Sequence, residues 1–343
     1  MNTDEHQPKL LSLVLAVYNE EPSIAALLRR LQAFRQSSQV PIEVIFVDDH
    51  SSDDTPGLLR EACRTNACFR YLRLSRNCGS HAAILAGLEY AKGQCAVFLA
   101  SDLQDPPEII PRLLQHWREG NHVVWAVRER REGISLRERL IARSFYWLMN
   151  RFSEVSFPPQ GADFALLDRR VISALLASAG ADPSLGADIA SLGFRHAQVS
   201  YVKAARPFGR SKWNLRKRLK AFADAFVSHS FAPIRFMSYA GILMAMVGFL
   251  YAIAVVALRL AIGIPVEGWA SLMVVTLVLG GMQMTMLGVL GEYLTRTLRE
   301  ARRQPRYFVE EYVASEMEMP WHAADQGQES LRQLPHNVTP THD

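Results

Sequence analysis

Short apolar runs alternate with amphipathic stretches through the first 130 positions of the chain. Apolar runs typical of buried strands occupy 11–17, 42–47, 71–74, 95–100 and 122–127. Helical patterns lie between them, at 22–35, 54–65, 80–92 and 106–118. This alternation predicts a Rossmann-like α/β domain, with a mostly parallel sheet covered by helices on both faces. Ligands of such sheets bind beyond the carboxyl ends of the strands, where Tyr18, Asp48 and Asp102 fall.

Two later segments carry no charged residue, 236–258 and 269–290. At 1.5 Å per residue each spans roughly 33 Å, enough to cross a hydrocarbon core of about 30 Å. Buried helices of a globular core are the alternative, but two such lengths in tandem favour a transmembrane hairpin. The connecting segment carries only Arg259 and Glu267, whereas basic residues flank the pair on its outer sides. The positive-inside rule then predicts that both ends are cytoplasmic.

The basic flanks define the remaining regions of the chain. The first flank comprises Arg206, Arg210, Lys212, Arg216, Lys217, Arg218 and Lys220. The second comprises Arg296, Arg299, Arg302, Arg303 and Arg306. We expect a catalytic domain at 1–212, amphipathic interfacial helices at 213–235, the hairpin at 236–291 and a cytoplasmic segment at 292–343, disordered after about 318.

Composition narrows the class of protein. The chain has 343 residues, is 49% apolar and carries a net charge of +4, which by itself does not indicate nucleic-acid binding. The four cysteines form no CxxC pair, so we expect free thiols in a reducing compartment. The N-terminal MNTDEHQPKL lacks the apolar region of a secretory signal, which predicts a cytosolic catalytic domain.

The segment FVDDHSSDDT, at 46–55, places paired carboxylates at a strand end. Such carboxylates can accept hydrogen bonds from a base N–H or from ribose hydroxyls. The alternative is a helix N-cap, and both can hold at once. We assign Asp48 and Asp49 to ligand binding, and Ser52 or Asp53 to capping. The chain has no GxGxxG and no GxxxxGKS motif, which argues against a dinucleotide oxidoreductase and a P-loop ATPase.

The segment SDLQDPPE, at 101–108, offers oxygen ligands for a divalent cation. Asp102 and Gln104 lie two positions apart, so on an extended backbone both face one side. Mg²⁺ or Mn²⁺ held there leaves coordination sites for phosphate oxygens and neutralises the charge of a departing diphosphate. The alternative is a polar turn in which Pro106 and Pro107 start the next helix.

Two runs of basic residues follow, RERREGISLRER at 128–139 and RPFGRSKWNLRKR at 206–218. A solvated basic face is the ordinary explanation of such runs. Contact with anionic lipid headgroups, or binding of a phosphate by guanidinium groups, is the alternative.

Seven segments occur in an order that resembles the bacterial polyprenyl-phosphate glycosyltransferases. These are inverting enzymes of glycosyltransferase family 2, related to dolichol-phosphate mannose synthase and to the O-antigen glucosyl-carrier and formamido-arabinose carrier transferases. The segments are VLAVYNEE, VIFVDDHSSDDT, LSRNCGSHAAILAG, SDLQDPPE, GADF, RPFGRSKW and GEYLTRTLREARRQPRYFV. The resemblance covers about 11–310 and implies a GT-A type fold.

The resemblance also implies site residues. The nucleotide pocket would be lined by Val17, Tyr18, Asn19, Glu20, Asp48, Asp49, Asn77, Gly79 and Ser101. The metal would be held by Asp102 and Gln104. Catalytic roles, chiefly in binding phosphates and the sugar, would fall to Asp102, Asp163, Arg128, Arg131, Arg206 and Lys212.

Three positions depart from the family pattern. The metal motif usually reads Asp-x-Asp-x-Gln, but its first position here is Ala100. Metal binding would then rest on Asp102, Gln104, the diphosphate and water, with altered metal dependence as a consequence. His50 stands where Gly is usual, and Cys78 where an aromatic residue is common.

The predicted reaction moves a sugar from a nucleotide sugar, with UDP as the expected carrier, to undecaprenyl phosphate. The product would serve cell-envelope glycan assembly or lipid A modification. A phosphate monoester is already ionised near pH 7, so a strong general base is dispensable and positioning cations matter more. The sequence leaves the sugar open.

Two other functions stay open at this point. One is a processive polysaccharide synthase, although the chain has no QxxRW motif. The other is a non-catalytic binder of nucleotide sugar or carrier lipid, which Ala100 favours. For the enzyme we expect a multi-pass protein of the bacterial inner membrane with both termini cytoplasmic, no nucleic-acid partner, and a homo-oligomer with a tetramer as one candidate.

Overall fold

A computed structural model describes residues 8–128, 164–178, 185–202, 232–262, 268–302 and 305–314. The strands are β1 (Leu11–Val17), β2 (Ile42–Asp48), β3 (Phe69–Leu74), β4 (Cys95–Ala100), β5 (Val123–Arg128), β6 (Ala165–Asp168), β7 (His196–Tyr201) and β8 (Val309–Ala314). The helices are α1 (Glu21–Ser37), α2 (Thr55–Thr65), α3 (Ser80–Tyr90), α4 (Ile110–Arg118), α5 (Arg169–Ser178), α6 (Leu185–Ser191), α7 (Ala232–Ile262) and α8 (Trp269–Ala301).

The described residues form one eight-stranded sheet in the order β7-β5-β6-β4-β1-β2-β3-β8. The pairings of β1 with β2 and β4, of β2 with β3, and of β5 with β7 are parallel. Strands β6 and β8 pair antiparallel with their neighbours. The predicted α/β fold with a mostly parallel sheet is therefore confirmed.

Helices cover both faces of this sheet, as the continuous apolar strands require. Side chains of α1, α2 and α4 pack with one face, and side chains of α3, α5 and α6 pack with the other. The central strands β1, β2 and β4 are buried along almost their whole length. This two-sided burial is typical of parallel sheets and explains why these strands read as unbroken apolar runs.

The pattern located the first five strands and four helices to within four residues at each end. It missed β6, which is only four residues long. It also missed β7 and β8, whose residues alternate between more buried and exposed positions instead of forming a continuous apolar run. β8 changes the expected organisation most. It lies in the segment after α8 and adds an edge strand to the sheet of the N-terminal domain.

All four cysteines lie within the described residues and are free thiols, as predicted. Cys63, Cys68 and Cys95 are buried, and Cys78 is partly exposed. Burial raises the pKa of Cys63 to about 12, with a smaller contribution from nearby Cys68. A thiol with so high a pKa is protonated at neutral pH and a poor nucleophile.

The predicted spans lie within α7 and α8. Among the described helices, one segment is long and apolar enough to cross a membrane, Met237–Leu258 in α7, with a mean hydropathy of 2.5. The side chains described along it are largely exposed, including Phe249 and Tyr251. The second span, within α8, stays a prediction. Most of the predicted interfacial segment 213–235 and the tail after 318 lie outside the described residues.

Gly87 marks the closest approach of α3 to the sheet. A Cβ atom at this position would lie 2.4 Å from Val14 Cγ1 and 2.8 Å from Val47 Cγ2. We expect Gly87→Ala to lower the free energy of unfolding by about 1–3 kcal/mol, because the added methyl overpacks a close-packed interior. Denaturant titration of the purified protein in detergent measures this change.

The matched control is Gly248→Ala, a helical glycine whose added Cβ would meet nothing within 4 Å. This control should unfold like the wild type. Equal stability of Gly87→Ala and the wild type would contradict the packing described here.

Candidate active site

Backbone strain is concentrated at the carboxyl edge of the sheet. The described non-glycine residues with left-handed φ are Asn19 (50°), His50 (62°) and Leu103 (61°). They follow β1, β2 and β4 respectively, the three adjacent strands at the centre of the sheet. Strained residues of this kind persist where surrounding contacts enforce them, and they cluster at binding and catalytic sites. This edge is therefore the candidate site.

The loops after β1 and β2 are joined by hydrogen bonds. The Asn19 N–H donates to Ser51 Oγ at 2.9 Å, and the Ser52 N–H donates to Asn19 Oδ1 at 2.8 Å. The Glu20 N–H donates to Thr55 Oγ1 at 3.0 Å. The structure thus brings Tyr18, Asn19 and Glu20 next to the paired carboxylates, as the nucleotide prediction requires, although nucleotide contact itself stays a prediction.

The expected residue Asp53 accepts the first N–H of α2, although it does not occupy the N-cap position. Helix α2 begins at Thr55 with Asp54 at the N-cap position and no side-chain capping bond. Asp53 instead accepts the Thr55 N–H through Oδ1 at 3.1 Å and the Glu21 N–H through Oδ2 at 3.2 Å. Asp53 therefore supports both loops, while Ser52 bonds to Asn19.

Asp48 is completely buried and bonded within the protein. Its Oδ2 accepts from Arg73 Nη1 at 2.5 Å and from the Tyr71 hydroxyl at 3.0 Å. Its Oδ1 accepts from the Ser51 N–H at 2.8 Å. With both oxygens engaged in this way, Asp48 supports the loop from beneath, and its predicted contact with a nucleotide has no geometric support here.

Asp49 ties the loop after β2 to the start of α3. Its Oδ1 accepts the Cys78 N–H at 2.6 Å and its Oδ2 accepts the Gly79 N–H at 2.8 Å. Burial raises the pKa of Asp49; the two backbone hydrogen bonds oppose this effect and the neighbouring Asp48 adds to it. These contacts bring the predicted residues Asn77 and Gly79 to the same edge as Asp49.

The loop after β4 is held in place by α1. The Leu103 carbonyl accepts from Arg30 Nη1 at 3.1 Å. Arg30 also forms two hydrogen bonds to Glu108, at 3.2 and 2.8 Å. Within the loop the Gln104 N–H donates to Asp102 Oδ1 at 3.1 Å. The segment is thus a tight turn, and it leaves the side chains of Asp102 and Gln104 partly exposed at the edge while Ser101 is buried.

The oxygen ligands at this loop fit a hard divalent cation only if the substrate supplies further oxygen ligands. Among the described residues no group of three or more His, Cys, Asp or Glu side chains lies close enough together to hold a metal ion. Asp102 and Gln104 supply two oxygen-bearing side chains, and Ala100 supplies none. Mg²⁺ commonly retains several waters and binds protein through one or two carboxylates plus substrate phosphates, so the residues present fit this mode.

A second cluster at the edge joins the predicted Arg128 to Tyr201 and Asp105, two residues that the sequence reasoning did not assign to the site. The Tyr201 hydroxyl donates to Asp105 Oδ1 at 2.6 Å and also shares a hydrogen bond with Arg128. Arg128 and Tyr201 lie side by side at the ends of β5 and β7. Burial, followed by the Asp105 carboxylate, raises the pKa of Tyr201. The signal for this cluster was a tyrosine ending a strand, which is too common to interpret alone.

Arg73 and Arg30 were also missed. Arg73 lies in the otherwise buried strand β3, where an arginine needs a charged partner, so its position was a usable signal. The predicted site residues Arg131, Asp163, Arg206 and Lys212 lie outside the described residues.

Family models match two parts of the chain. The model described as "Glycosyl transferase family 2" matches residues 12–176, and the model described as "GtrB C-terminal hairpin" matches residues 232–297. The first match contains the three loops of the candidate site. The second contains most of α7 and α8.

Similar proteins match the chain over almost their whole lengths. An undecaprenyl-phosphate 4-deoxy-4-formamido-L-arabinose transferase of Pseudomonas paraeruginosa is 36% identical, covering 89% of this chain and 90% of that protein. A bactoprenol glucosyl transferase of Shigella phage SfV is 32% identical, covering 87% and 97%. Among solved structures, a glucosyl-3-phosphoglycerate synthase of Mycobacterium tuberculosis in complex with UDP has a TM-score of 0.47 and 21% identity, covering 64% of this chain and 78% of that one.

Both the catalytic segment and the hairpin segment are thus matched, which confirms the predicted family and the enzyme class. The chain belongs to the polyprenyl-phosphate glycosyltransferases of glycosyl transferase family 2.

Proposed function

We propose that the protein transfers a sugar from a nucleotide sugar to undecaprenyl phosphate, with inversion at the anomeric carbon. The observation that carries this proposal is the similarity over nearly the full chain to transferases whose names specify bactoprenol or undecaprenyl phosphate. The carboxyl-edge loops of the family 2 domain supply the donor site. A UDP-sugar is the expected donor, and glucose and a modified arabinose are both candidate sugars.

The nucleotide occupies the edge formed by the loops after β1, β2 and β3. Tyr18 is 37% exposed there and offers a ring for a base. Asp49 holds the neighbouring loop through the N–H groups of Cys78 and Gly79, so the pocket is built before the donor binds. Val17, Asn19, Glu20, Asn77 and Ser101 complete the proposed lining.

Asp102 and Gln104 would hold Mg²⁺ or Mn²⁺ together with the donor diphosphate. The cation supplies charge neutralisation for the departing nucleoside diphosphate. Arg30 fixes the turn that presents these two side chains, since it binds the Leu103 carbonyl inside the turn. Preorganisation of this kind avoids the cost of ordering the loop during the reaction.

The acceptor needs no strong general base in this scheme. A phosphate monoester has a second pKa of about 6 and is ionised at neutral pH. Positioning cations matter more, and Arg128, held beside Tyr201 at the sheet edge, is the described candidate. Arg131, Arg206 and Lys212 are proposed for the same task from the sequence, and Asp163 for orienting the sugar or these cations.

The hairpin brings the site to the lipid. The chain leaves the sheet after β7, runs through α7 and α8, and returns to the same sheet as β8. Because both ends of the helical pair are attached to one domain, the pair must cross the membrane an even number of times. We infer that 236–258 and 269–290 both span the inner membrane, with the domain and both termini cytoplasmic.

A non-catalytic role in binding nucleotide sugar or carrier lipid has one observation in its favour. Ala100 leaves the metal motif with one carboxylate fewer than the family pattern. Turnover by the purified protein separates this role from the transferase.

We expect Asp102→Asn to reduce the rate of sugar transfer at least about 100-fold, because the amide keeps the size of the side chain but loses the charge that attracts the cation. Initial rates with undecaprenyl phosphate, Mn²⁺ and a panel of UDP-sugars measure this effect.

Glu119→Gln is the control for the loss of one negative charge, taken at the end of α4. Glu119 is 51% exposed and bonds His116 rather than Arg30 or the proposed metal. Full activity of Asp102→Asn would show that the metal assignment is wrong, and absence of turnover by the wild type with any donor would favour the binder.

Polyprenol, the neutral alcohol of the same chain length, should yield less than about one hundredth of the product obtained with undecaprenyl phosphate. The alcohol is protonated at neutral pH and needs a general base to activate it, whereas the phosphate is already ionised. Product analysis by thin-layer chromatography compares the two lipids, and equal yields would refute the acceptor assignment.

Topology is tested with reporters in intact cells. A reporter fused after Asp343 should be cytoplasmic, and one inserted at Pro265 should be periplasmic, because two spans place the intervening segment across the membrane. Reporters on the same side at both positions would exclude the hairpin.

A further inference from the structure

Strand β8 carries a bulge opposite Arg73. In the antiparallel pairing of β3 with β8, Arg73 lies opposite Glu311, but the next residue, Leu74, lies opposite Val309. Glu310 is therefore the extra residue of the bulge, with no partner of its own in the ladder. Bulges redirect a side chain and are common beside active sites.

The bulge brings the Glu310 carboxylate to Arg73. Arg73 Nε donates to Glu310 Oε2 at 3.0 Å. The same guanidinium donates through Nη1 to Asp48 Oδ2 at 2.5 Å and through Nη2 to the Ser51 carbonyl at 3.3 Å. Three different nitrogens thus bind three different acceptors, and the Arg73 side chain is only 15% exposed.

Both inner acceptors of Arg73 belong to the loop that shapes the proposed nucleotide site. Asp48 directly precedes Asp49, which holds the loop before α3. Ser51 accepts the Asn19 N–H and so fixes the strained residue after β1. His50, between them, has its Nδ1 3.8 Å from Glu310 Oε2 and 3.2 Å from the Leu74 carbonyl oxygen.

Several other contacts hold β8 in place without Glu310. The Ser75 N–H donates to the Phe308 carbonyl at 2.9 Å, and the Tyr307 hydroxyl donates to Glu89. Arg60 binds Glu311 through Nε and Nη2, both at 2.9 Å. Loss of the Glu310 carboxylate should therefore leave the strand attached.

We propose that Glu310 is a positioning residue of the nucleotide site, acting through Arg73 on the loop after β2. The inference rests on the proposed function, in which this loop binds the nucleotide. In this proposal, the strand that follows the membrane hairpin takes part in binding the nucleotide-sugar donor.

The physical basis is the planar geometry of the guanidinium group. A guanidinium group that is hydrogen-bonded at Nε is held in one orientation, and this orientation directs Nη1 and Nη2 to their acceptors. Without Glu310 the group still neutralises Asp48 but can rotate about that contact. The Ser51 bond, which is the longest of the three, is then lost first, and Ser51 holds Asn19.

The test compares Glu310→Gln with Glu311→Gln in the purified full-length protein. The two residues are adjacent on β8, and each change removes one negative charge and turns one charge-assisted arginine contact into a weaker neutral hydrogen bond. Glu311 binds Arg60 on α2 rather than the loop after β2. Isothermal titration with UDP and with GDP, each with Mn²⁺, gives the nucleotide Kd.

We expect Glu310→Gln to raise the nucleotide Kd by about 3-fold to 10-fold, the usual scale of one charge-assisted hydrogen bond acting indirectly. Glu311→Gln should stay within about 2-fold of the wild type. The Tm values of the two variants should be similar, since each loses one partly exposed ion pair.

A double-mutant cycle with Arg73→Lys tests the route of the effect. Lysine keeps the positive charge near Asp48 but lacks the planar guanidinium group, whose three separate nitrogens reach Glu310, Asp48 and Ser51. In the Arg73→Lys background, Glu310→Gln should change the nucleotide Kd by less than about 2-fold, because the guanidinium group through which Glu310 acts is already absent. An unchanged effect in that background would overturn the proposed route.

Equal nucleotide Kd values for Glu310→Gln and Glu311→Gln would overturn the inference while leaving the proposed function intact. A lower Tm for Glu310→Gln with an unchanged Kd would also overturn it, since that result describes a purely structural ion pair. If the folded wild type binds neither UDP nor GDP, the proposed function fails and the inference fails with it.

Discussion

The parallel register of three central strands is the constraint on which the rest of this structure depends. β1 pairs with β2 so that Val17 lies opposite Asp48, and with β4 so that Ala16 lies opposite Ala100. The three strands therefore end at one level, and the loops that follow them meet at one edge. Each loop contains a left-handed residue there, so the sheet imposes strain on the backbone where the donor is proposed to bind.

Buried charge is the second organising feature. Asp48 and Asp49 are adjacent and both nearly inaccessible, an arrangement that is costly unless each carboxylate is bonded. Arg73 and Tyr71 satisfy the first, and two backbone N–H groups satisfy the second. At the opposite edge, Glu43 pairs with Arg70 at 2.9 Å and accepts from Ser12 and Gly93. The same rule thus holds at the edge of the proposed donor site and at the opposite end of the strands.

The return of the chain as β8 joins the segment after α8 to the catalytic sheet. The helical pair α7 and α8 therefore lies, in chain order, between two strands of one sheet, β7 and β8. Contacts from β8 reach α2, α3 and β3. A lipid-linked acceptor cannot leave the bilayer, so an enzyme for it must work at the membrane surface.

Many of the strands and helices of this protein could be predicted from the residue pattern, for a physical reason. Strands buried on both faces must be continuously apolar and helices over them must be amphipathic, so β1 to β5 and α1 to α4 appear in the sequence as alternating periods. A helix that crosses lipid must be long and apolar, so the candidate span Met237–Leu258 could also be predicted from the sequence. The motif order that carries the family is local and was equally accessible.

Contacts between distant residues could be decided only by the tertiary structure. Asp48 lies beneath the site in an ion pair, whereas Asp49 holds a loop. This difference depends on which strand neighbours β2, and nothing in the sequence of the two adjacent aspartates predicts it. Tyr201 joins Asp105 across 96 positions, and Glu310 joins Arg73 across 237. Sheet order and a one-residue bulge set these distances, and neither leaves a periodic signal in the chain.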